Sequence, residues 1–186
     1  MFSLFNSKLC DMAYDGDLKG VRHAVENGTD ANERGLFRVT PLIAAAANGC
    51  DDVVKYLLSR PETNVNTMNA DSTTALMAAA RGGHTGTVKI LLADPRCDAN
   101  ILGKWGGTAL VNAAAAGHAD VVEEFLKIDG ISLAATYIDK KYSPVTIARH
   151  NGHEAIAKRL EEFQAAQIQK TQIQQRRPSP GSGMRI

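Results

Sequence analysis

The sequence of 186 residues predicts an all-α solenoid of stacked helix-turn-helix units, because three markers recur along it with one period. The first marker is a Thr/Ser-Pro/Ala-Leu/Val triplet at 40–42, 74–76, 108–110 and 143–145, with spacings of 34, 34 and 35 residues. The second marker is a glycine, at Gly16, Gly49, Gly83, Gly117 and Gly152, and the third is an asparagine, at Asn32, Asn66 and Asn100. Markers that keep one phase over five cycles indicate repeats that bury their apolar faces against one another.

Each cycle contains two predicted helices joined by the marker glycine. An Ala-rich segment follows the triplet, at 43–47, 77–80 and 111–116, and Ala has the highest helix propensity. The glycine ends this helix, since it readily takes the left-handed conformation of a helix C-terminus. A second helix follows with apolar residues at helical spacing, and a polar stretch containing Asn or Asp then forms an exposed turn.

This unit of about 33 residues resembles the ankyrin repeat. The matching residues are Thr40-Pro41-Leu42, Gly83-His84, the run from Gly117 to Val122, and the Asp-Ala-Asn endings at 30–32 and 98–100. The resemblance covers residues 7–165 and implies helix pairs connected by β-hairpins or loops. It implies five repeats, of which the first and last are caps, at approximately 7–34, 35–68, 69–102, 103–137 and 138–165.

The chain departs from the family pattern at a position that usually joins neighbouring repeats. Family members carry His after Thr-Pro-Leu, whereas this chain has Ile43, Met77, Val111 and Thr146 there. The Thr–His hydrogen bond of the family is therefore absent, and we expect a less stable stack than an idealised one. Cys50 stands where later repeats have His84 and His118, and we interpret it as a structural replacement.

Composition and charge exclude several classes of protein. The chain is 44% hydrophobic with a formal net charge of +1, which argues against a wholly disordered chain and against a dedicated nucleic-acid binder. Three cysteines without CxxC spacing predict neither a disulfide framework nor a zinc ribbon. We find no apolar run of membrane-spanning length and no secretory signal pattern. We therefore expect a cytoplasmic protein, with the nucleus as an alternative, that is monomeric on its own and not inserted in a membrane.

No motif predicts an active site, a cofactor or a metal ion. The segment 103–108 lacks the order of a phosphate-binding P-loop and falls on a turn between repeats. His150 and His153 have HxxH spacing, but no carboxylate or cysteine completes a ligand set. The nucleophile elbow G-x-S-x-G is also missing. We expect no catalytic residue, no cofactor and no metal site.

The resemblance implies that the tips between repeats and the first helices line a concave groove that binds partners. By phase, the tips lie at 36–39, 70–73, 104–107 and 139–142, and three of the ten aromatic residues are Phe37, Trp105 and Tyr142 within them. Aromatic side chains beside Arg or Lys are typical of interface hot spots, unless they fold back onto their own turn. The candidate partner-binding residues are Leu36, Phe37, Val39, Asn48, Asp71, Arg81, Lys104, Trp105, Lys140, Tyr142 and His150.

These observations favour a non-enzymatic protein–protein interaction module, acting as an adaptor, scaffold or inhibitor for an unidentified protein partner. One alternative is nucleic-acid or small-ligand binding by Lys104, Trp105, Lys140 and Tyr142, which would combine stacking with charge. The near-neutral net charge disfavours nucleic acid. Another alternative is a structural subunit of a larger complex.

The chain ends outside the repeats carry further expectations. Residues 1–6 form an N-terminal extension, and residues 166–186 form a polar, basic C-terminal segment for which we expect disorder, with the Gln-rich stretch 164–175 as a weak continuation of the last helix. Ser179 follows two arginines and precedes a proline, which resembles a phosphorylation site. A phosphate there would oppose most of the local positive charge.

The three marker asparagines are predicted to hydrogen-bond within their own turns. By resemblance, Asn32, Asn66 and Asn100 are also candidates for hydroxylation by an asparaginyl hydroxylase, because they occupy the repeat position at which that modification occurs.

Overall fold

Five helix pairs follow one another in the computed structural model, which describes residues 4–133 and 143–175. Within these ranges the connections are turns and no β-strand occurs, which confirms the all-α solenoid and resolves the expected hairpins as loops. The helices are α1 Lys8–Tyr14, α2 Leu18–Glu26, α3 Pro41–Ala47, α4 Asp51–Leu58, α5 Ala75–Gly82, α6 Thr85–Ala93, α7 Ala109–Ala116, α8 Ala119–Leu126, α9 Pro144–His150 and α10 Glu154–Gln175.

The repeated triplet starts the first helix of the second to fifth units. Its hydroxyl residue is the N-cap of the helix, because the side-chain oxygen accepts a hydrogen bond from the backbone N–H three residues later. These four caps are Thr40, Thr74, Thr108 and Ser143, with distances of 3.3, 3.2, 3.3 and 3.1 Å. The five marker glycines all take positive φ, between 70° and 83°, which confirms that they end the first helices.

The core runs along the whole stack between two rows of helices. The first helices, α1, α3, α5, α7 and α9, pack in series, and the second helices form a parallel row beside them. Buried alanines in the first row allow these helices to approach closely. The largest fully buried side chains are Phe125, Leu9, Leu42, Leu57, Leu91, Leu110 and Leu160.

One row of hydrogen bonds joins each first helix to the next repeat. In each case a carbonyl near the end of the helix accepts from a side chain of the following unit. The pairs are Cys50 Sγ to Tyr14 O at 3.2 Å, His84 Nε2 to Ala47 O at 3.0 Å, His118 Nε2 to Arg81 O at 3.0 Å and Asn151 Nδ2 to Ala115 O at 2.7 Å. Cys50 thus makes the bond that histidines make later, which confirms its structural role.

A second row of hydrogen bonds corrects the expected role of the marker asparagines. Asn66 does not bond within its own turn: its Nδ2 donates to Arg96 O at 2.7 Å, and its Oδ1 accepts from Asp98 N at 3.0 Å. Asn32 and Asn100 bridge to the next repeat in the same way. An amide has both a donor and an acceptor, so it fits a carbonyl and an N–H two residues apart on the neighbouring loop.

Replacing Asn66 with Ala is expected to lower the free energy of unfolding by about 1–2 kcal/mol, because two backbone groups of the next repeat lose their partner. Urea unfolding followed by circular dichroism would measure this loss. Asn64→Ala is the matched control, since its side chain makes no hydrogen bond within the described ranges and should change stability by less than about 0.5 kcal/mol. Equal losses in the two variants would contradict the bridging role.

The last helix is longer than the repeat that it closes. α10 continues through Gln175, which confirms that the Gln-rich stretch 164–175 extends the last helix and corrects the expected disorder of residues 166–175. Their Ala, Gln and Lys content favours helix, and Ile168 is exposed on this extension. At the other end, Phe5 packs edge-on against Tyr14, with ring centroids 5.5 Å apart. Within residues 4–133 and 143–175, no helix combines the length and the apolar character that a membrane crossing requires.

Candidate partner-binding surface

Three of the predicted tips are described, and in each of them a backbone hydrogen bond joins the first residue of the turn to the fifth. The bonds run from Gly35 N to Val39 O at 2.9 Å, from Asn69 N to Thr73 O at 3.1 Å and from Gly103 N to Gly107 O at 2.9 Å. We call the turns 35–39, 69–73 and 103–107 the second, third and fourth tips, after the repeats that they open. Each turn also contains an inner backbone hydrogen bond, from Arg38 N to Gly35 O, from Ser72 N to Asn69 O and from Gly106 N to Gly103 O, so the tips are compact.

The second tip presents an aromatic side chain on a strained backbone. Phe37 and Arg38 have φ of 54° and 58°, the left-handed region that residues with a Cβ rarely occupy. Phe37 is 65% exposed and Leu36 is 47% exposed, so the aromatic ring does not fold back onto its own turn. The backbone is held on both sides, because Phe37 O accepts from Ala70 N at 2.7 Å and Leu36 N donates to Phe5 O.

Val39 does not belong to the exposed surface. Its side chain is only 8% exposed and lies in the core, and its carbonyl accepts from Cys10 Sγ at 3.4 Å. The chain is extended at Val39, so the residue directs its side chain into the stack between the exposed tip and the capping Thr40. Its selection as a partner-binding residue is therefore wrong.

The remaining candidate partner-binding residues lie at three different locations on the stack. Asn48 is exposed, but its amide donates to Tyr14 O at 2.8 Å and so joins the first two repeats. His150 is exposed at the end of α9. Asp71, Arg81 and Lys104 come together at one cavity between the third and fourth tips.

The structure does not describe the side chains of four candidate residues. The backbone of Trp105 lies in the 3-10 turn Lys104–Gly106, at the repeat position of Phe37, but its side chain lies outside the described part. Lys140, Tyr142 and Ser179 also lie outside the described residues.

The cavity between the third and fourth tips has a volume of about 310 Å³. Its floor is apolar, formed by the buried Met77 and Val111, and its polar lining includes residues that sequence reasoning missed. Asn112 is the residue that was missed entirely, whereas Ser72, Thr73 and Gly107 lie in the predicted tips but are not among the candidate partner-binding residues. The arrangement offers two cations, one carboxylate, an amide and two hydroxyls around an apolar floor, which suits binding rather than bond making.

The cysteine thiols are poor nucleophiles. Burial raises the pKa of Cys97 to about 12 and also raises the pKa of Cys10 and of Cys50. A thiol with a raised pKa stays protonated at neutral pH, and the thiolate is the reactive form. Among the residues that the structure describes, no group of three His, Cys, Asp or Glu side chains is placed to hold a metal ion.

Comparison with known proteins gives two findings. A family model described as ankyrin repeats (3 copies) matches residues 9–101 and 86–172. Serine/threonine-protein kinase 12 from Arabidopsis thaliana is 40% identical to this chain over 53 residues. These residues make up 28% of this chain and 12% of the kinase, so the chain spans only a small part of that curated relative.

Proposed function

Because this chain belongs to the ankyrin-repeat family, we propose that it is a non-enzymatic adaptor, scaffold or inhibitor that binds a protein partner through its tips and concave groove. Ankyrin repeats are generally protein–protein interaction modules and are typically non-enzymatic. The proposal extends to a chain that is monomeric alone and resides in the cytoplasm or nucleus. The observation that carries it is the exposed Phe37 on its left-handed backbone.

The second tip bears two costs, a left-handed backbone and an exposed aromatic side chain. A left-handed conformation costs about 1–2 kcal/mol for a residue with a Cβ, and Phe37 and Arg38 both adopt it. A Phe side chain that stays in water does not gain the roughly 1.5–3 kcal/mol of free energy that its burial would provide. Backbone strain of this kind clusters at binding sites, where it fixes the direction of a side chain. A partner that covers Phe37 would recover the burial energy.

The tips are also suited to binding because they are already ordered. A hydrogen bond from Leu36 N to Phe5 O and one from Ala70 N to Phe37 O hold the second tip on both sides, and the third and fourth tips are closed by their own backbone bonds. A preorganised surface loses little conformational entropy when a partner binds. The raised pKa values of the thiols support the non-enzymatic part of the proposal.

Phe37→Ala is expected to weaken partner binding by about 1–3 kcal/mol, the range of an aromatic hot spot. Proteins captured from an extract of the source cells by the wild-type chain would be identified, and the dissociation constant of each purified partner would be measured for both chains. Trp105→Ala, at the same position of the fourth tip, is expected to act in the same direction.

The matched control is Ile168→Ala, which removes an exposed apolar side chain from α10, away from the tips. It should leave the dissociation constant unchanged, and circular dichroism should show the same helicity for all variants. Unchanged binding by Phe37→Ala, or an equal loss with Ile168→Ala, would contradict the proposed surface.

A further inference from the structure

We propose that the cavity between the third and fourth tips is a specificity pocket that receives an Asp or Glu side chain of an extended partner segment. This inference rests on the proposed function and names the chemistry of the partner. The pocket occurs where the chain departs from its own repeat pattern. The side chains of Arg81 and Asn112, which have no partner among the described residues, match a carboxylate.

Three residues at the cavity differ from their counterparts in neighbouring repeats. Gly107 stands where other repeats have Val39 and Thr73, and Arg81 stands where they have Ala47 and Ala115. Asn112 likewise replaces Ala44 and Ala78. These residues come from the end of α5, the fourth tip and the middle of α7, yet all three line the same cavity.

The backbone conformation at Gly107 does not require a glycine, and the missing side chain leaves space in the cavity. Its φ of −77° and ψ of 134° suit any residue, so a glycine is not needed for the turn. A Cβ at this position would meet Asn112 Oδ1 and Val111 Cγ1 at 3.8 Å, which is ordinary van der Waals contact. The absent side chain therefore enlarges the cavity without serving the conformation.

Two of the polar groups at the cavity have no partner in the described part of the chain. The Arg81 guanidinium makes no ion pair or hydrogen bond there, and the Asn112 side-chain amide makes no hydrogen bond. Two cations on the second helices are paired instead: Arg159 binds Glu123 at 2.7 Å, and Lys89 binds Glu124 at 3.4 Å. The Arg81 guanidinium is available for an external anion, in contrast to those two cations.

A carboxylate on a short apolar stem fits these groups best. The guanidinium of Arg81 offers paired donors that match a carboxylate, and Lys104 adds positive charge on the same cavity. Met77 and Val111 on the floor would contact the methylene groups of the ligand. The volume of about 310 Å³ is at the small end of ligand pockets and leaves room for backbone beside the side chain.

Asp71 favours a peptide over a nucleic acid. Its carboxylate and the hydroxyls of Ser72 and Thr73 lie on the same cavity and would accept hydrogen bonds from backbone N–H groups of a peptide. A phosphate backbone has no such donors for these three acceptors. Nucleic-acid binding also depends on several cations that neutralise phosphates along a strand.

A displayed library of random dodecapeptides, selected on the full chain, tests the ligand chemistry. We expect the selected peptides to share an Asp or Glu at one position. Synthetic copies with Gln for Glu or Asn for Asp should bind about tenfold more weakly by fluorescence anisotropy, because they lose the charge-assisted bonds. Selected peptides without a shared acidic residue, or neutral copies that bind equally well, would overturn the proposal.

Two variants taken from the chain's own repeats test the site. Arg81→Ala introduces the residue found at 47 and 115, and Gly107→Val introduces the residue found at 39, so both should preserve helicity and thermal midpoint. Each variant should weaken the binding of the acidic peptide about tenfold. Lys158→Ala, which removes one exposed positive charge from α10, should leave this binding unchanged. If Lys158→Ala weakened peptide binding equally, the loss would arise from the overall charge of the chain, and the assignment of the pocket would be wrong.

The same variants separate this inference from the proposed function. If Phe37→Ala releases the captured partner but Arg81→Ala and Gly107→Val do not, the pocket assignment is wrong and the partner-binding role stands. A labelled dT12 oligonucleotide provides the other arm. Binding of dT12 that exceeds peptide binding and falls with Arg81→Ala would overturn the peptide assignment in favour of a nucleic acid.

Discussion

Replacing Phe125 with Ala is expected to lower the free energy of unfolding by about 3–5 kcal/mol. Phe125 is the largest fully buried side chain in the described part of the chain, with 0% exposure. It lies on α8, which packs against α6, α7 and α10, so the cavity would be shared by the last described repeats. Because small domains are stable by only about 5–15 kcal/mol, this one change would remove a large share of the total.

The repeat architecture determines where the loss should be felt. In a stack, each repeat is stabilised by itself and by its nearest neighbours. The weakened fourth repeat should therefore open together with the fifth before the N-terminal repeats unfold. Hydrogen exchange would show this as faster exchange in α7–α10 with protection retained in α1–α4, and urea unfolding would give a broadened or divided transition.

Phe125→Leu is the matched control, because Leu57 and Leu91 occupy the equivalent positions in the second and third repeats. A Leu keeps most of the volume, so we expect a loss of less than about 1.5 kcal/mol. A loss in Phe125→Ala no larger than that of Phe125→Leu, or uniform loss of protection along the whole chain, would contradict the shared core at α8.

The features that the sequence predicts correctly are local and periodic. The capping hydroxyls and the marker glycines act within a few residues of their own helix, so their roles follow from position alone. Cys50 was interpreted correctly because its repeat position matches that of His84 and His118. The direction of the Asn66 side chain is different, because it depends on the backbone of a neighbouring loop about 30 residues away.

Burial at single positions was harder to predict than the repeat. Val39 lies next to exposed tip residues, and only the extended backbone directs its side chain inward. Thr87 is a polar residue at a position of the second helix that is otherwise apolar, and it is fully buried. Its hydroxyl donates a hydrogen bond to Asp51 Oδ1 of the preceding repeat at 2.6 Å. A buried hydroxyl is tolerated when it is hydrogen-bonded, and the sequence does not show that partner.

The sequence indicates the candidate pocket only through differences between the repeats of this chain, and a comparison with the family pattern does not reveal these differences. Arg81 is a candidate because of its place in the groove, but Gly107 and Asn112 do not stand out alone. They become informative only when each is compared with the other repeats of this chain, and when the stack brings the three positions together. Pocket formation therefore depends on tertiary packing between two repeats, which local patterns do not encode.

Replacing Gly83 with Ala is expected to lower the free energy of unfolding by about 2–4 kcal/mol, the sum of two effects. Gly83 has φ of 73°, and a residue with a Cβ pays about 1–2 kcal/mol in this region. A Cβ at Gly83 would also lie 2.7 Å from the His118 ring atoms Cε1 and Nδ1. The ring must then move and lose its bond to Arg81 O, which adds about 1–2 kcal/mol.

Gly152→Ala separates these two effects. Gly152 ends α9 with φ of 83°, and a Cβ there meets no described atom within 4 Å, so only the conformational cost of about 1–2 kcal/mol applies. In a His118→Ala background, the cost of Gly83→Ala should fall to the level of Gly152→Ala, because the clash is gone. Urea unfolding of the four members of this double-mutant cycle measures the coupling between the two residues. Equal costs for Gly83→Ala and Gly152→Ala in the wild-type background would show that the histidine bridge between repeats contributes nothing to stability.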